Sequence, residues 1–157
     1  MTEAGEFSKW LVEIRSSLIS DSIMDVPCGK CIGCWVSSKF VRVQAQETMS
    51  IKTIPEELLH KTEDGSYNIS FQENGHCSML VDEKCQIYDN RPKSCRQFDC
   101  RIYTAAGLLP NRPEEGNIVS RVKDWKFSYD SADSLDCHEA VKETANFIQQ
   151  NGKHFPG

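Results

Sequence analysis

The sequence lacks the long apolar runs and the excess of positive charge that several classes of protein require. No segment approaches the roughly 18 consecutive apolar residues that a membrane-spanning helix needs, so we expect no membrane insertion. Lys and Arg number 18 against 23 Asp and Glu, which gives a formal net charge of -5. An acidic chain lacks the clustered basic residues typical of nucleic-acid binding. We therefore expect no nucleic-acid partner.

The first residues also lack the features of an export signal. Residues 1–6 include two acids, and they have neither a positively charged start nor an apolar centre. This composition favours a cytoplasmic protein, in which cysteines stay reduced.

Cysteine, by contrast, is abundant, with eight residues in the chain. In an exported domain this number would suggest disulfides, whereas in a reducing compartment it is typical of metal ligation. Three of the thiols, Cys28, Cys31 and Cys34, are each separated by two residues, and glycines between them allow sharp turns. This CxxCxxC triad predicts metal chelation.

The triad supplies three ligands and has no fourth thiol nearby. In bacterial ferredoxins a fourth Cys follows after three residues, but here that position is Ser38. The missing ligand should then come from the later thiols, which are Cys77, Cys85, Cys95, Cys100 and Cys137. Cys137 fits either a ligand or a small apolar residue on a helix. His76 and His138 are further candidates, with a surface position as the alternative for each.

The apolar pattern predicts one small α+β domain over residues 1–157, with an irregular, metal-stabilised, cysteine-rich centre at 28–100. Amphipathic helices are predicted at both ends, over 3–20 and over 133–150, the second with Asp133 as its cap and Gly152 as its stop. Strands are predicted near 39–43, around 67–71, and at 76–81 after the Asn74-Gly75 turn.

The remaining segments are less regular in pattern. Short helices are predicted at 55–60 and at 91–98, the latter capped by Asn90, and a loop is predicted at 105–116. Residues 118–129 fit a helix in their first part and a strand in their last, and Trp125 belongs to both patterns.

The later cysteines lie in a specific motif, Cys85-Gln-Ile-Tyr88 through Arg91-Pro92 to Cys95-Arg96-x-Phe98. Together with the triad and Cys77, the motif resembles the CxxCxxCC cysteine-cluster family, a zinc- or iron-chelating domain, over about residues 28–100. The resemblance implies that seven cysteines are metal ligands: Cys28, Cys31, Cys34, Cys77, Cys85, Cys95 and Cys100.

One position departs from the family pattern. The family's first motif ends in two adjacent cysteines, and here the second is Trp35. The departure has three readings: that ligand is dispensable, Cys100 or Cys137 replaces it, or one of two sites has been lost.

Other residues of the motif are candidates for supporting the thiolates. Four thiolates around a divalent ion leave a net charge of about -2. Arg91 and Arg96 could offset this charge, and Tyr88 could contribute its hydroxyl. The alternative is that both arginines are exposed on a short helix.

The thiolate set is compatible with zinc and with an iron–sulfur cluster such as 4Fe–4S. We expect a metal-binding module that is structural or that binds a protein partner. Electron transfer or service to an oxidoreductase is one alternative, and metal storage or delivery is another. The sequence has no GxSxG, HExxH or phosphate-binding loop, so no activity of its own is predicted.

Overall fold

The computed structural model describes residues 1–20 and 22–152. Within these ranges the α-helices are α1 (Phe7–Ile19), α2 (Thr48–Thr53), α3 (Lys93–Arg96), α4 (Arg101–Ala106), α5 (Gly116–Asp124) and α6 (Ala132–Asn151). The strands are β1 (Thr2–Glu6), β2 (Phe40–Val43), β3 (Leu59–Lys61), β4 (Tyr67–Ser70), β5 (Leu80–Val81), β6 (Lys84–Cys85) and β7 (Trp125–Ser128). Short 3₁₀ turns lie at Gly33–Val36, Glu56–Leu58, Tyr88–Asn90 and Pro113–Glu115. Helices and sheets together confirm the predicted α+β class.

The strands form three small sheets. In the first, β1 and β7 run parallel, with Thr2 opposite Trp125. In the second, β4 lies between β2 and β3 and is antiparallel to both. In the third, β5 and β6 form a hairpin whose turn residues, Asp82 and Glu83, have positive φ. No helix in the described ranges is long and apolar enough to cross a membrane.

The buried apolar residues in the described ranges form two cores, and each core includes a predicted ligand cysteine. We call the first the sheet core, and its buried residues are Val43, Ile54, Ile69, Cys77, Met79, Leu80 and Ile87. We call the second the helical core, and its buried residues are Ala4, Phe7, Trp10, Ile14, Met24, Cys100, Ala105, Ile118, Val122 and Trp125. The two halves of the helical core adjoin because Val26 and Phe127 pack against both.

The two terminal helices differ from prediction at their first residues. The N-terminal helix was predicted over 3–20, but it begins at Phe7 because Thr2–Glu6 pair with β7 instead. The C-terminal helix was predicted over 133–150 and spans Ala132–Asn151. Its cap is Ser131, whose hydroxyl accepts the Ser134 N–H at 3.1 Å, and not Asp133. Gly152 follows the helix, as predicted.

Several short elements also depart from prediction. The helix predicted at 55–60 is a single 3₁₀ turn followed by β3. The strand predicted at 76–81 is mostly irregular, with one bridge from Phe71 to Cys77 before β5. These segments are too short and too interrupted for local propensity to determine their structure.

The segments after residue 90 follow the same trend. The helix predicted at 91–98 is limited to α3, and Asn90 ends a 3₁₀ turn instead of capping that helix. The segment predicted as a loop at 105–116 includes the end of α4, which stops at Gly107 in a left-handed conformation. Residues 118–129 contain both alternatives, because α5 ends at Asp124 and β7 begins at Trp125.

A buried ion pair ties the helical core together. The Nη2 atom of Arg101 lies 2.8 Å from Oδ2 of Asp99, and both side chains are almost fully buried. Asp99 also accepts the indole N–H of Trp10 at 2.9 Å. Arg101 donates to the carbonyl oxygens of Ala4 at 2.9 Å and Asp25 at 3.1 Å. The pair therefore joins β1, α1 and the loop before the triad to the segment that carries Cys100.

Replacing Arg101 by Met should destabilise the protein strongly, because Asp99 would keep a buried charge without its cation. We expect the free energy of unfolding, measured by urea denaturation, to fall by about 3–5 kcal/mol. Lys142→Met is the control, since it removes an ion pair with Glu139 at the surface and should leave the midpoint unchanged. Similar losses in both variants would contradict this account.

His138 packs inside an aromatic cluster and is neither at the surface nor beside a thiol of the motif. Its ring stacks on Phe7 with centroids 4.3 Å apart, and its Nδ1 hydrogen-bonds the Tyr129 hydroxyl at 2.7 Å. Burial lowers the pKa of His138 below 6.5, and the charge of Lys142 acts in the same direction. Backbone carbonyls of α4 and the Glu139 carboxylate oppose the shift. The folded protein therefore favours the neutral imidazole.

Acid should weaken the packing of α6 for this reason. The unfolded chain binds a proton at His138 near pH 6.5, more readily than the folded chain does. The free energy of unfolding should therefore decrease as the pH falls below that value. We expect His138→Phe to show a shallower decrease between about pH 7 and pH 5 in denaturation curves. Parallel curves for the two proteins would exclude His138 as the source.

Candidate metal centre

The predicted ligand cysteines lie where the sheet core and the helical core meet. Cys77 and Cys85 belong to or pack against the sheet core, and Cys100 belongs to the helical core. The chain of the triad passes between the two, since Val26 packs on the helical core and Trp35 packs on the sheet core. A metal held by these thiols would therefore lie between the cores.

Tight turns give the triad its local shape. The N–H of Cys31 donates to the carbonyl of Cys28 at 3.1 Å, and Gly29 between them has a φ of 57°, which favours glycine. The N–H of Gly33 donates to the sulfur of Cys31 at 3.4 Å. Cys34 lies on the 3₁₀ turn that follows. The carbonyl of Trp35, the next residue, accepts the Cys77 N–H at 2.8 Å. The triad is thus attached directly to the later cysteines.

Helix α5 covers the triad, which the sequence did not predict. The Arg121 guanidinium donates to the carbonyls of Pro27 at 3.1 Å and Cys28 at 2.9 Å. The Asn117 side chain donates to the carbonyl of Val36 at 2.5 Å. One helix therefore fixes both ends of the segment that carries the three thiols.

The surroundings of Cys28 and Cys34 raise the pKa values of both thiols. The pKa of Cys28 rises to about 11, first through burial and then through negative charge on Cys100 and Cys31. The pKa of Cys34 rises to about 12, first because protein atoms surround it, then through Cys28 and other thiols. Cys34 is nevertheless accessible to solvent.

Cys100 is the later thiol whose charge acts on two members of the triad, Cys28 and Cys34, whereas Cys95 acts on Cys34 alone. Burial raises the pKa of Cys100, and a hydrogen bond from the Trp125 indole lowers it. Negative charge on Cys100 raises the pKa values of both Cys28 and Cys34. We call these four thiols, Cys28, Cys31, Cys34 and Cys100, the triad set.

The other three thiols form a second group, which we call the hairpin set: Cys77, Cys85 and Cys95. Burial raises the pKa of Cys95 to about 12, and the charges of Cys77 and Cys85 act in the same direction. Burial also raises the pKa values of Cys77 and Cys85. Because Cys95 affects the pKa of Cys34, the two sets are neighbours.

Backbone donors face the sulfurs in both sets. Gly33 donates to Cys31, and the N–H groups of Met79 and Ile87 lower the pKa values of Cys77 and Cys85 against the effect of burial. In each case the donor lies two residues after the cysteine. Such donors favour the thiolate form of a sulfur.

The two motif arginines have different surroundings. Arg91 lies 3.9 Å from the centre of the Tyr88 ring and donates to the Tyr88 carbonyl at 2.8 Å. Its charge lowers the pKa values of Cys85 and Cys95. Arg91 therefore acts electrostatically on the hairpin set, and its contacts with exposed Tyr88 hold the guanidinium in place.

Arg96 instead lies beside a carboxylate. Its Nη2 is 3.7 Å from Oε1 of Glu47, the same oxygen that accepts the Lys93 N–H at 2.5 Å. Its carbonyl accepts the N–H of Met24 at 3.1 Å. Arg96 thus links α3 to the segment before α2 and to the loop before the triad.

The residues considered as additional ligands lie in different places. His76 is half-buried and lines an open cleft of about 490 Å³ together with Cys31 and Asn117. Cys137 is exposed on α6. His138 is in the aromatic cluster described above.

In the part of the chain that the structure describes, no group of three or more Cys, His, Asp and Glu side chains is arranged to hold one ion. The donor chemistry of the two sets fits zinc or iron, since both sets offer desolvated sulfurs with N–H donors and a nearby guanidinium.

The comparison with protein families agrees with this chemistry. The model of the CxxCxxCC family, described as a "Putative zinc- or iron-chelating domain", matches residues 25–120, which is more than half of the chain. The chain belongs to the CxxCxxCC family. The match includes all seven predicted ligands and excludes Cys137. Searches of curated proteins and of solved structures gave no match.

Gly33 should be essential for the packing of the triad on α5. A Cβ at this position would lie 2.9 Å from Cγ2 of buried Ile118 and 3.4 Å from the Asn117 carbonyl. We expect Gly33→Ala to lower the free energy of unfolding by about 1–3 kcal/mol, measured by chemical denaturation. Gly116→Ala is the matched control because its Cβ would meet no atom within 4 Å. Equal stability of the two variants would show that this contact is unimportant.

Proposed function

We propose that the chain binds zinc or iron through seven cysteine thiolates, divided between the triad set and the hairpin set, and that the metal joins the sheet core to the helical core. Membership of the CxxCxxCC family supports chelation of one of these metals. The observation that carries the assignment to particular residues is the recurring donor pattern. Cys31, Cys77 and Cys85, from both sets, each face a backbone N–H two residues further along.

The electrostatics of the two sets support a cation as their partner. Burial and mutual repulsion disfavour several thiolates without a positive charge between them. A divalent ion reverses this preference, because coordinating thiols lose their protons to the solvent on binding. Arg121 beside Cys28 and Arg91 beside Cys85 and Cys95 reduce the remaining negative charge. Under this proposal the sulfurs of each set draw together when the ion binds.

The position of the sets supports a structural role. Ligands from both cores would converge on the metal, so its binding energy would become part of the folding free energy. In small zinc domains that contribution is about 10–16 kcal/mol. A closed, stabilising centre of this kind needs no catalytic residue. It would serve to present the surrounding surface in a fixed shape.

Anaerobic purification followed by elemental analysis and a visible spectrum tests the proposal. We expect bound zinc with no visible colour, or iron with sulfur-to-iron absorption. Cys31→Ser and Cys85→Ser should each lose part of the metal, because each removes a ligand from a different set. Cys137→Ser is the matched control and should keep the full amount, since Cys137 is exposed on α6.

Two outcomes would overturn the proposal. One is a wild-type protein that neither retains nor takes up zinc or iron. The other is a metal content in Cys31→Ser and Cys85→Ser equal to that of Cys137→Ser. Loss of all metal in either variant would instead show that both sets form a single centre, which would contradict the division into two.

A further inference from the structure

We propose that Trp125 is a positioning residue of the metal centre, whose indole N–H donates a hydrogen bond to the Cys100 thiolate and limits the electron density that this sulfur gives to the metal. The inference rests on the proposed function and extends it to residues that follow the family match, which ends at residue 120. We also propose that Arg121 fixes the position of Trp125 relative to the Cys28 backbone, because its guanidinium contacts both.

The first step is the contact between the indole and the sulfur. Nε1 of Trp125 lies 3.2 Å from Sγ of Cys100, and the two residues are only 1% and 6% exposed. An indole N–H can only donate, and a buried donor without an acceptor is costly. The sulfur serves as that acceptor. The bond becomes stronger when the sulfur carries negative charge, as it does in a metal–thiolate bond.

The second step is the way in which Trp125 is held. Trp125 begins β7 and lies opposite Thr2 in the parallel pair with β1. The Arg121 guanidinium lies 4.3 Å from the centre of the indole ring and donates to the Thr2 hydroxyl at 3.0 Å. Main-chain pairing on one side and a stacked cation on the other restrict the ring to the orientation that reaches Cys100.

The third step connects this unit to the start of the triad. The same guanidinium donates to the carbonyls of Pro27 and Cys28. Arg121 and Trp125 therefore contact both the Cys28 backbone and the Cys100 sulfur, two ligands of the triad set that are far apart in sequence. Partners of this kind, which touch the ligands and not the metal, typically change metal affinity by about 10- to 100-fold when removed.

Divalent cobalt is a suitable probe, because bound thiolates give it a sulfur-to-metal charge-transfer band. Trp125→Phe keeps an aromatic ring and removes the N–H donor together with the second ring of the indole. In cobalt titrations of the protein after chelator treatment, we expect this band to move to lower energy and the affinity to fall by about 10-fold or more. A sulfur released from a hydrogen bond is a better electron donor, which explains the direction of the band shift. The affinity falls because the sulfur is no longer held in position for the metal.

Tyr129→Phe is the control. The Tyr129 hydroxyl hydrogen-bonds Nδ1 of His138 at 2.7 Å in the aromatic cluster and contacts no sulfur. The control variant therefore loses a hydrogen bond of an aromatic side chain and should keep the wild-type band position and affinity. A merely structural effect of losing such a hydrogen bond would appear in both variants.

A measurement on the unsubstituted protein covers the case in which Trp125→Phe does not fold. When NMR-active cadmium is bound, the Trp125 indole proton should move downfield and show scalar coupling to the metal through the sulfur. No coupling at Trp125, or a Trp125→Phe variant with the band and affinity of Tyr129→Phe, would overturn the inference and leave the proposed function standing. Absence of the cobalt band in the unsubstituted protein would overturn the proposed function itself.

Discussion

The buried ion pair of Asp99 and Arg101 is the interaction on which the rest of the structure depends. Two desolvated charges are tolerated only when their remaining donors and acceptors find partners. The Trp10 indole and the carbonyls of Ala4 and Asp25 provide them. Because these partners come from α1, β1 and the loop before the triad, satisfying the pair brings three distant segments together. Cys100 lies between the two charged residues in sequence, so the same requirement fixes the position of this thiol.

Two backbone hydrogen bonds hold the segments on either side of the triad in place. The Cys77 N–H donates to the Trp35 carbonyl at 2.8 Å on the side of the sheet core, and the Met24 N–H donates to the Arg96 carbonyl at 3.1 Å near the helical core. Cys77 is a candidate ligand, and Trp35 and Arg96 each follow a candidate ligand directly in the sequence. Met24 is the exception. Shape at the boundary thus depends on the same short segments that carry the sulfurs. A metal in this place would reinforce contacts that already exist instead of creating the boundary by itself.

Local patterns predicted the parts of the fold that local forces determine. The strands around 39–43 and 67–71 and the C-terminal helix follow from alternation and helical periodicity. Residues 2–6 could not be recognised as a strand, because their partner, β7, lies more than 100 residues away in sequence and nothing nearby signals the pairing. Residues 118–129 were ambiguous for a related reason, since a helix and a strand join there without a breaker residue between them.

The candidate site shows the same division between local and tertiary information. A donor two residues after Cys31 follows from a glycine-containing turn, and the sequence contains that turn. The different surroundings of Arg91 and Arg96 do not follow from the motif, because Glu47, which lies beside Arg96, comes from a separate segment. The expected fourth partner of the triad illustrates the point most clearly. Spacing predicts that it comes from a later cysteine, and we propose Cys100 because this thiol packs with residues of α5 and β7 and accepts the Trp125 indole N–H.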